Sequence, residues 1–222
     1  MQVPILYEDN HLLLVEKPVN IPVQSDQSRD KDLLTILKED IKVRFNKPGN
    51  VYLGLVHRLD RPVGGAMVFA KTSKAASRLS DQVRRQAIRR KYYAVVQGVP
   101  NKTEGQLTDY LLKDSRTNIV SIVPKSHKEG KKAVLSYKLL QTNQKLSLLE
   151  VELHTGRPHQ IRVQLAGMGN PIWGDQKYGR EYSKVGQQIG LWAYELSLEH
   201  PTQKTEVTVQ SLPVNEFPWN LW

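Results

Sequence analysis

The chain has no cysteine among its 222 residues. That excludes disulfides, thiolate metal sites, iron–sulfur ligation and a thiol nucleophile together. It is also short of acid, with 22 Asp and Glu against 32 Lys and Arg, a formal net charge of +10. No apolar run approaches the ~20 residues needed to span a bilayer. Glu8 and Asp9 arrive before any sizeable apolar segment, so no secretory leader is expected and the chain is placed in the cytoplasm. Its six His residues fall into no H-E-x-x-H or similar spacing, and no metal site is expected. There is no phosphate-binding glycine loop, no dinucleotide fingerprint and no G-x-S-x-G elbow, so nucleotide-driven, redox and serine-hydrolase chemistry have no support.

What is present describes an ordinary globular chain, 39% hydrophobic and 24% charged. The basic excess favours a polyanionic partner, because Lys and Arg displace condensed counterions from a phosphate backbone. Residues 3–24 read as two short strands about a tight turn, with Leu12, Leu13, Leu14 and Val15 as a buried run broken by Lys17-Pro18. Residues 25–31 form a polar loop. Leu33, Leu34, Leu37, Ile41 and Phe45 predict an amphipathic helix over 32–45, stopped by Lys47-Pro48-Gly49-Asn50. A strand Ala66–Ala70 and a helix capped by Ser73 and running to Gln86 follow, with Ala76, Leu79 and Val83 facing inward. Lys91 to Gly98 reads as a strand, and 106–153 as several more, interrupted by a Lys-rich solvated loop at 125–132. A turn at 155–158 leads into a short helix from His159, and 191–212 is again β-like. Strands in hairpin-like succession predict an α+β fold with a mixed, mostly antiparallel central sheet, flanking helices and one catalytic domain over 1–222.

Three segments carry candidate chemistry. In Gly54-Leu-Val-His57-Arg58-Leu59-Asp60-Arg61-Pro-Val-Gly-Gly65 a carboxylate sits between two arginines, ahead of paired glycines that permit a tight turn or a close approach. A plain surface ion pair has the same composition, and the segment alone does not separate the two. In Thr155-Gly-Arg-Pro-His159-Gln160-Ile161-Arg162 the short helix carries a guanidinium able to grip a carboxylate in two-pronged fashion, or to make a structural pair. In Arg90-Lys91-Tyr92-Tyr93 the two tyrosines point to opposite faces of a strand, so only one enters a given pocket.

Together these segments resemble the RluA family of pseudouridine synthases, whose signature is a His-Arg-Leu-Asp motif. Tyr7 to Pro18 looks like the family's opening hairpin, Lys91 to Gly98 like its tyrosine strand, Gly156 to Val163 like its arginine motif, and Gly169 to Gly179 like a further family segment. The resemblance implies the pseudouridine synthase fold with a central RNA-binding cleft. It implies an isomerase that converts uridine to pseudouridine in structured RNA without a cofactor, ribosomal RNA being favoured over transfer RNA. Asp60 would be the catalytic aspartate, Arg162 its partner and Tyr92 the aromatic against the base. His57, Arg58, Arg61, His159, Gln160 and Ile161 would contact the substrate. The chain departs from the pattern at Val63-Gly64-Gly65, where the family often has Thr-Ser-Gly. An additional S4-type RNA-binding domain, carried by many relatives, is not expected within these residues, and the protein is expected to act as a monomer.

The chemistry suits these residues. The N1–C1′ bond breaks, the uracil turns and a C5–C1′ bond forms, with no net redox change. An ionised carboxylate in a drying pocket needs a nearby cation, or burial raises its pKa. A uridine in a paired region must first be flipped out, at a cost of a few kcal/mol. Lys71, Lys74, Arg78, Arg84, Arg85, Arg89, Arg90 and Lys91, against the single acid Asp81, are expected to supply RNA-backbone contacts that offset it. Two other functions remain open on the sequence. A nucleosidase would pair Asp60 with a second carboxylate, for which Asp175 is the candidate unless it merely caps its own turn. A non-catalytic RNA-binding protein would not need Asp60 at all.

Overall fold

A computed structural model of the protein describes residues 2–222. The chain forms two compact units, one from residues up to Arg89 together with Ala193–Leu212, the other from Arg90–Trp192 together with Pro213–Trp222.

The first unit is built on the hairpin β1 (Ile5–Glu8) and β2 (Leu12–Lys17). Asp9 closes its turn by accepting from the backbone N–H groups of His11 and Leu12, each at 2.7 Å. β2 pairs antiparallel with β4 (Gly64–Ala70), Leu12 facing Ala70 and Lys17 facing Gly65. The two-residue strand β3 (Gly54–Leu55) also joins β4. β4 continues the sheet to β10 (Leu191–Glu199), whose far side carries β11 (Glu206–Gln210). Every residue of β4 is buried, as expected of a central strand. Alternation sorts its side chains: Ala66, Val68 and Ala70 join Leu12, Leu14, Leu196 and Leu198 in one core, sealed by Ala75 and Leu79 of α2 (Ser73–Arg84). The cap of α2 is Thr72, not Ser73: its hydroxyl accepts from Ala75 N at 3.1 Å. Ala75, Leu79 and Gln82 are its buried positions, and Ala76 and Val83 pack partly buried against the same core. α1 (Leu33–Arg44) is capped by Asp32 and buries Leu33, Leu37 and Ile41 at helical spacing, ending close to the expected stop. Phe45, expected on that apolar face, is instead half exposed beneath the cations of Arg44 and Lys71.

The second unit orders its strands β5-β9-β8-β6-β7. These are β5 (Arg89–Gln97), β6 (Glu104–Asp114), β7 (Ile119–Val123), β8 (Lys131–Thr142) and β9 (Leu146–Leu153). All four pairings are antiparallel. The Lys-rich stretch is an exposed turn at 124–130 followed by the start of β8. α3 (Gln160–Gly167) lies after β9 and packs Val163 with Leu111, Val120 and Ala133. A second cluster holds Val95, Leu146 and Leu148 against Trp173, Trp219 and Trp222, which gives the Trp-containing tail a structural use. The architecture is α+β, with mostly antiparallel sheet and three α-helices. Among the described residues no helix is long and apolar enough to cross a membrane.

Candidate active site

In the first unit the residues of interest lie on the loop 56–63 between β3 and β4. Leu59 and Val63 are its buried anchors, and Val63 N–H closes a turn on Asp60 O at 3.0 Å. His57 holds the loop to the sheet: its Nε2 accepts from Val68 N at 3.2 Å, just past the last β3–β4 pair. Beneath the loop lies Lys17, 0% exposed. Its ammonium donates to the carbonyls of Pro18 (2.9 Å), Arg61 (2.9 Å) and Val63 (2.8 Å), which uses all three N–H groups. Burial pushes this lysine down to about 7, while the Asp60 carboxylate pulls it back up and Arg61 pushes it further down. Asp60 is thus half-buried on a loop whose backbone is held from below by a cation.

Gly65 shows why the loop must end in glycine. Its φ is +117°, and a Cβ there would stand 2.2 Å from the carbonyl oxygen of Ala193 on β10. The close approach is to the protein's own backbone. Arg61 also serves the fold. Its Nε donates to Asn20 O at 3.1 Å and its guanidinium pairs with Asp30 and, at 3.8 Å, with Asp26. That pairing holds the Asp30 carboxyl below its usual range. Arg61, expected as a substrate contact, is engaged here with Asn20, Asp26 and Asp30 of the polar loop 20–30. Arg58 is exposed.

In the second unit the turn 155–160 is built from its own polar groups. Gln160 Oε1 accepts from Thr155 Oγ1 at 2.7 Å and Arg157 N at 3.0 Å, and its Nε2 donates to Val134 O at 3.0 Å. His159 stands in the left-handed region at φ 50°, with Nδ1 2.7 Å from the Tyr178 hydroxyl. That hydroxyl also accepts from Val120 N at 2.9 Å. Ile161 is buried. Gln160 and Ile161, expected at the substrate, shape the turn and the packing behind it.

Arg162 is 5% exposed and Asp175 1%. Nε and Nη2 of the arginine donate to the two carboxylate oxygens, both at 2.8 Å, and Tyr178 stacks 5.3 Å from the guanidinium carbon. Burial alone would raise the Asp175 carboxyl. The guanidinium, with the N–H groups of Lys177 and Tyr178, outweighs burial and holds it below the usual range. Asp175 does cap its own turn, as one sequence-based reading had it, and it also fixes Arg162. Locked in this way, it is poorly placed to serve as the second carboxylate of a nucleosidase. Tyr92 lies on β5 opposite Val151 and is buried.

The basic run is less bare than its sequence. Lys71 pairs with Glu8 (2.8 Å), Arg84 and Arg85 with Asp81, Arg89 with Glu206 (3.6 Å) and Glu195 (3.9 Å), and Lys91 with Glu150 (3.3 Å). Arg78 donates to Pro201 O at 2.6 Å, and Lys74 is exposed. Acids far away in sequence neutralise a track that counted only Asp81 in its favour. Lys17 beneath the Asp60 loop and the lock of Asp175 on Arg162 are the features of the candidate site that the sequence did not reveal. A lysine two residues beyond Val15 on a buried strand face was the available signal for the first. Among the described residues no cluster of His, Cys, Asp or Glu could hold a metal ion.

Mostly antiparallel sheet flanked by few helices marks the protein as an α+β fold. Residues 11–167 match the RNA pseudouridylate synthase family model, and the chain belongs to that family. It is 37% identical to the ribosomal large subunit pseudouridine synthase C of Buchnera aphidicola over 92% of this chain and 65% of that protein. It is 34% identical to an RNA pseudouridine synthase of Bacillus subtilis over 90% of this chain, again 65% of the relative. The chain thus spans about two thirds of the length of these relatives. An RNA pseudouridine synthase of Zymomonas mobilis is 31% identical over 94% of this chain and 93% of its own length. Among solved structures, human RNA Pseudouridylate Synthase Domain Containing 4 superposes with a TM-score of 0.80 at 25% identity, covering 95% of this chain and 89% of the human one.

Proposed function

We propose that the protein is an RNA pseudouridine synthase that isomerises uridines in structured RNA, with Asp60 as its catalytic carboxylate. Its target is ribosomal RNA in preference to transfer RNA, in line with the names of its ribosomal relatives. It works in the cytoplasm as a monomer, without a cofactor, and both compact units make up one catalytic domain. The observation that carries this reading is the His57–Asp60 loop, inside a family match of 157 residues and anchored by Lys17 and His57 so that the carboxylate has a fixed backbone to stand on.

Asp60 acts in ionised form during the break of N1–C1′ and the closure of C5–C1′; the hydrogen at C5 leaves and N1 takes up a proton, so the reaction balances without an oxidant. Arg162 holds Asp60 ionised. Its grip on Asp175 uses two of its five N–H groups and sets the plane of the guanidinium. Tyr92 walls the pocket in which the detached uracil turns. Arg58 and His159 contact the nucleotide. His57, Arg61, Gln160 and Ile161 complete the substrate contacts, from the loop and the turn that they also shape. Lys74 and those of its paired neighbours that exchange an acid for a phosphate follow the RNA backbone.

The test is release of tritium from RNA labelled at C5 of uridine, since the product carries C1′ at C5 where uridine carries that hydrogen. The intact protein is expected to release label, and Asp60→Asn to release none. Free uracil as product would favour a nucleosidase. RNA binding without release in the intact protein would favour a non-catalytic role.

A further inference from the structure

Arg90 sits in β5 with 8% of its surface exposed. Among the described residues its side chain makes no hydrogen bond or ion pair, and its Nε is fully buried without a partner. Buried guanidinium groups are otherwise matched in this protein: Arg162 is paired by Asp175 on two oxygens. A buried donor left without an acceptor is costly, and an anionic acceptor from outside the chain can engage the rest of this guanidinium. The surroundings are built for it. A Cβ on Gly156 would fall 2.8 Å from Arg90 Nη1 and 3.7 Å from Cζ and Nη2, so the guanidinium lies across the bare Cα of a glycine. The φ of Gly156 is not in the left-handed region, so what the glycine provides there is room.

The neighbours say what completes it. Arg89 and Lys91, one residue to either side, are paired with Glu195, Glu206 and Glu150, and strand alternation puts them on the opposite face. Arg90 shares its face with Tyr92, one two-residue step away, about 6.6 Å along the strand. That is comparable to the span between a nucleobase and its own phosphate. We propose that Arg90, laid over Gly156, is the seat of a single RNA phosphate flanking the nucleotide whose base packs at Tyr92. The phosphate supplies the two anionic oxygens a guanidinium takes in two-pronged fashion. This rests on Tyr92 facing the target base, as proposed above, and singles out one phosphate from the general backbone track.

The test uses the full chain and a short oligouridylate in which single linkages are made neutral as methylphosphonates. Arg90→Met is expected to weaken binding about tenfold and to lower the slope of log affinity against log salt by about 0.7. One neutral linkage beside the bound uridine should weaken the intact protein about tenfold and Arg90→Met less than twofold. Gly156→Ala, whose methyl takes the place of Nη1, should behave like Arg90→Met. Because the guanidinium has no partner in the fold, Arg90→Met should melt at or above the temperature of the intact protein. Unchanged affinity, an equal loss on every neutral backbone, or a melting point lowered by several degrees would each overturn the seat. If the intact protein binds as described but releases no tritium from C5-labelled RNA, the proposed function falls and the phosphate seat stands. If turnover follows Asp60 and Arg90→Met is neutral, the seat alone falls.

Discussion

Replacing Lys17 by Met keeps the length of the side chain and removes its three donors. The carbonyls of Pro18, Arg61 and Val63 then face the interior without a partner. Each stranded buried acceptor costs about 1–3 kcal/mol, so three cost about 3–9 kcal/mol. The variant no longer desolvates an ammonium, and the loop can relax, which puts the expected loss at the low end, about 3 kcal/mol. With a urea slope of about 2 kcal/mol/M, the midpoint should fall by about 1–2 M. The pH dependence has a definite sign. Burial lowers this lysine from its ordinary 10.5 to about 7, so between those values the unfolded chain binds the proton and the folded chain does not. Stability from this group therefore rises with pH from about 7 to about 10.5, and the cost of the buried cation is fully present below about 7. The intact protein should show that rise in urea midpoints taken across the range, and Lys17→Met should not. Superimposable pH curves, or a midpoint at pH 6 within about 0.2 M of the intact protein, would refute the reasoning.

Asp175→Ala leaves a guanidinium buried without its carboxylate and should cost about 3–5 kcal/mol, read as a lowered denaturation midpoint. Because Arg162 holds the Asp175 carboxyl below 3.8, its contribution is present above that value and lost as pH falls through the folded pKa. Acid unfolding of Asp175→Asn should accordingly depend less on pH in the most acidic range than that of the intact protein. Gly65→Ala drives a methyl to 2.2 Å from Ala193 O at a φ of +117°, and should melt far lower or fail to accumulate as folded protein. A melting temperature within a few degrees of the intact protein would contradict the close β4–β10 approach.

Much of the fold was legible because local signals agreed. The apolar run Leu12–Val15 gave β2, the i, i+4, i+8 spacing of Leu33, Leu37 and Ile41 gave α1, and the turn residues 47–50 gave its end. Ser73 was a sound cap by type, yet Thr72 lies one residue earlier with the same chemistry, and only the register of Ala75 and Leu79 against the sheet decides between them. The site was legible where its residues are consecutive, as in His57–Asp60. Distance along the chain hid the rest. Arg61 is 31 residues from Asp30 and Lys17 is 46 from Val63, and the acids that neutralise the basic run lie on other strands. A composition count sees that run as a bare cationic face. The same count does not set Arg90 apart from Arg89 and Lys91, its neighbours in sequence, which are paired while it is not.

The central claim is that the Asp60 carboxylate turns uridine into its C-glycoside. Its most direct measurement is nucleotide-resolution mapping of pseudouridine in ribosomal and transfer RNA from cells lacking the gene, complemented with either the intact protein or Asp60→Asn. The account predicts at least one uridine that is isomerised with the intact protein and stays unmodified with Asp60→Asn. Identical maps in the two strains would contradict it.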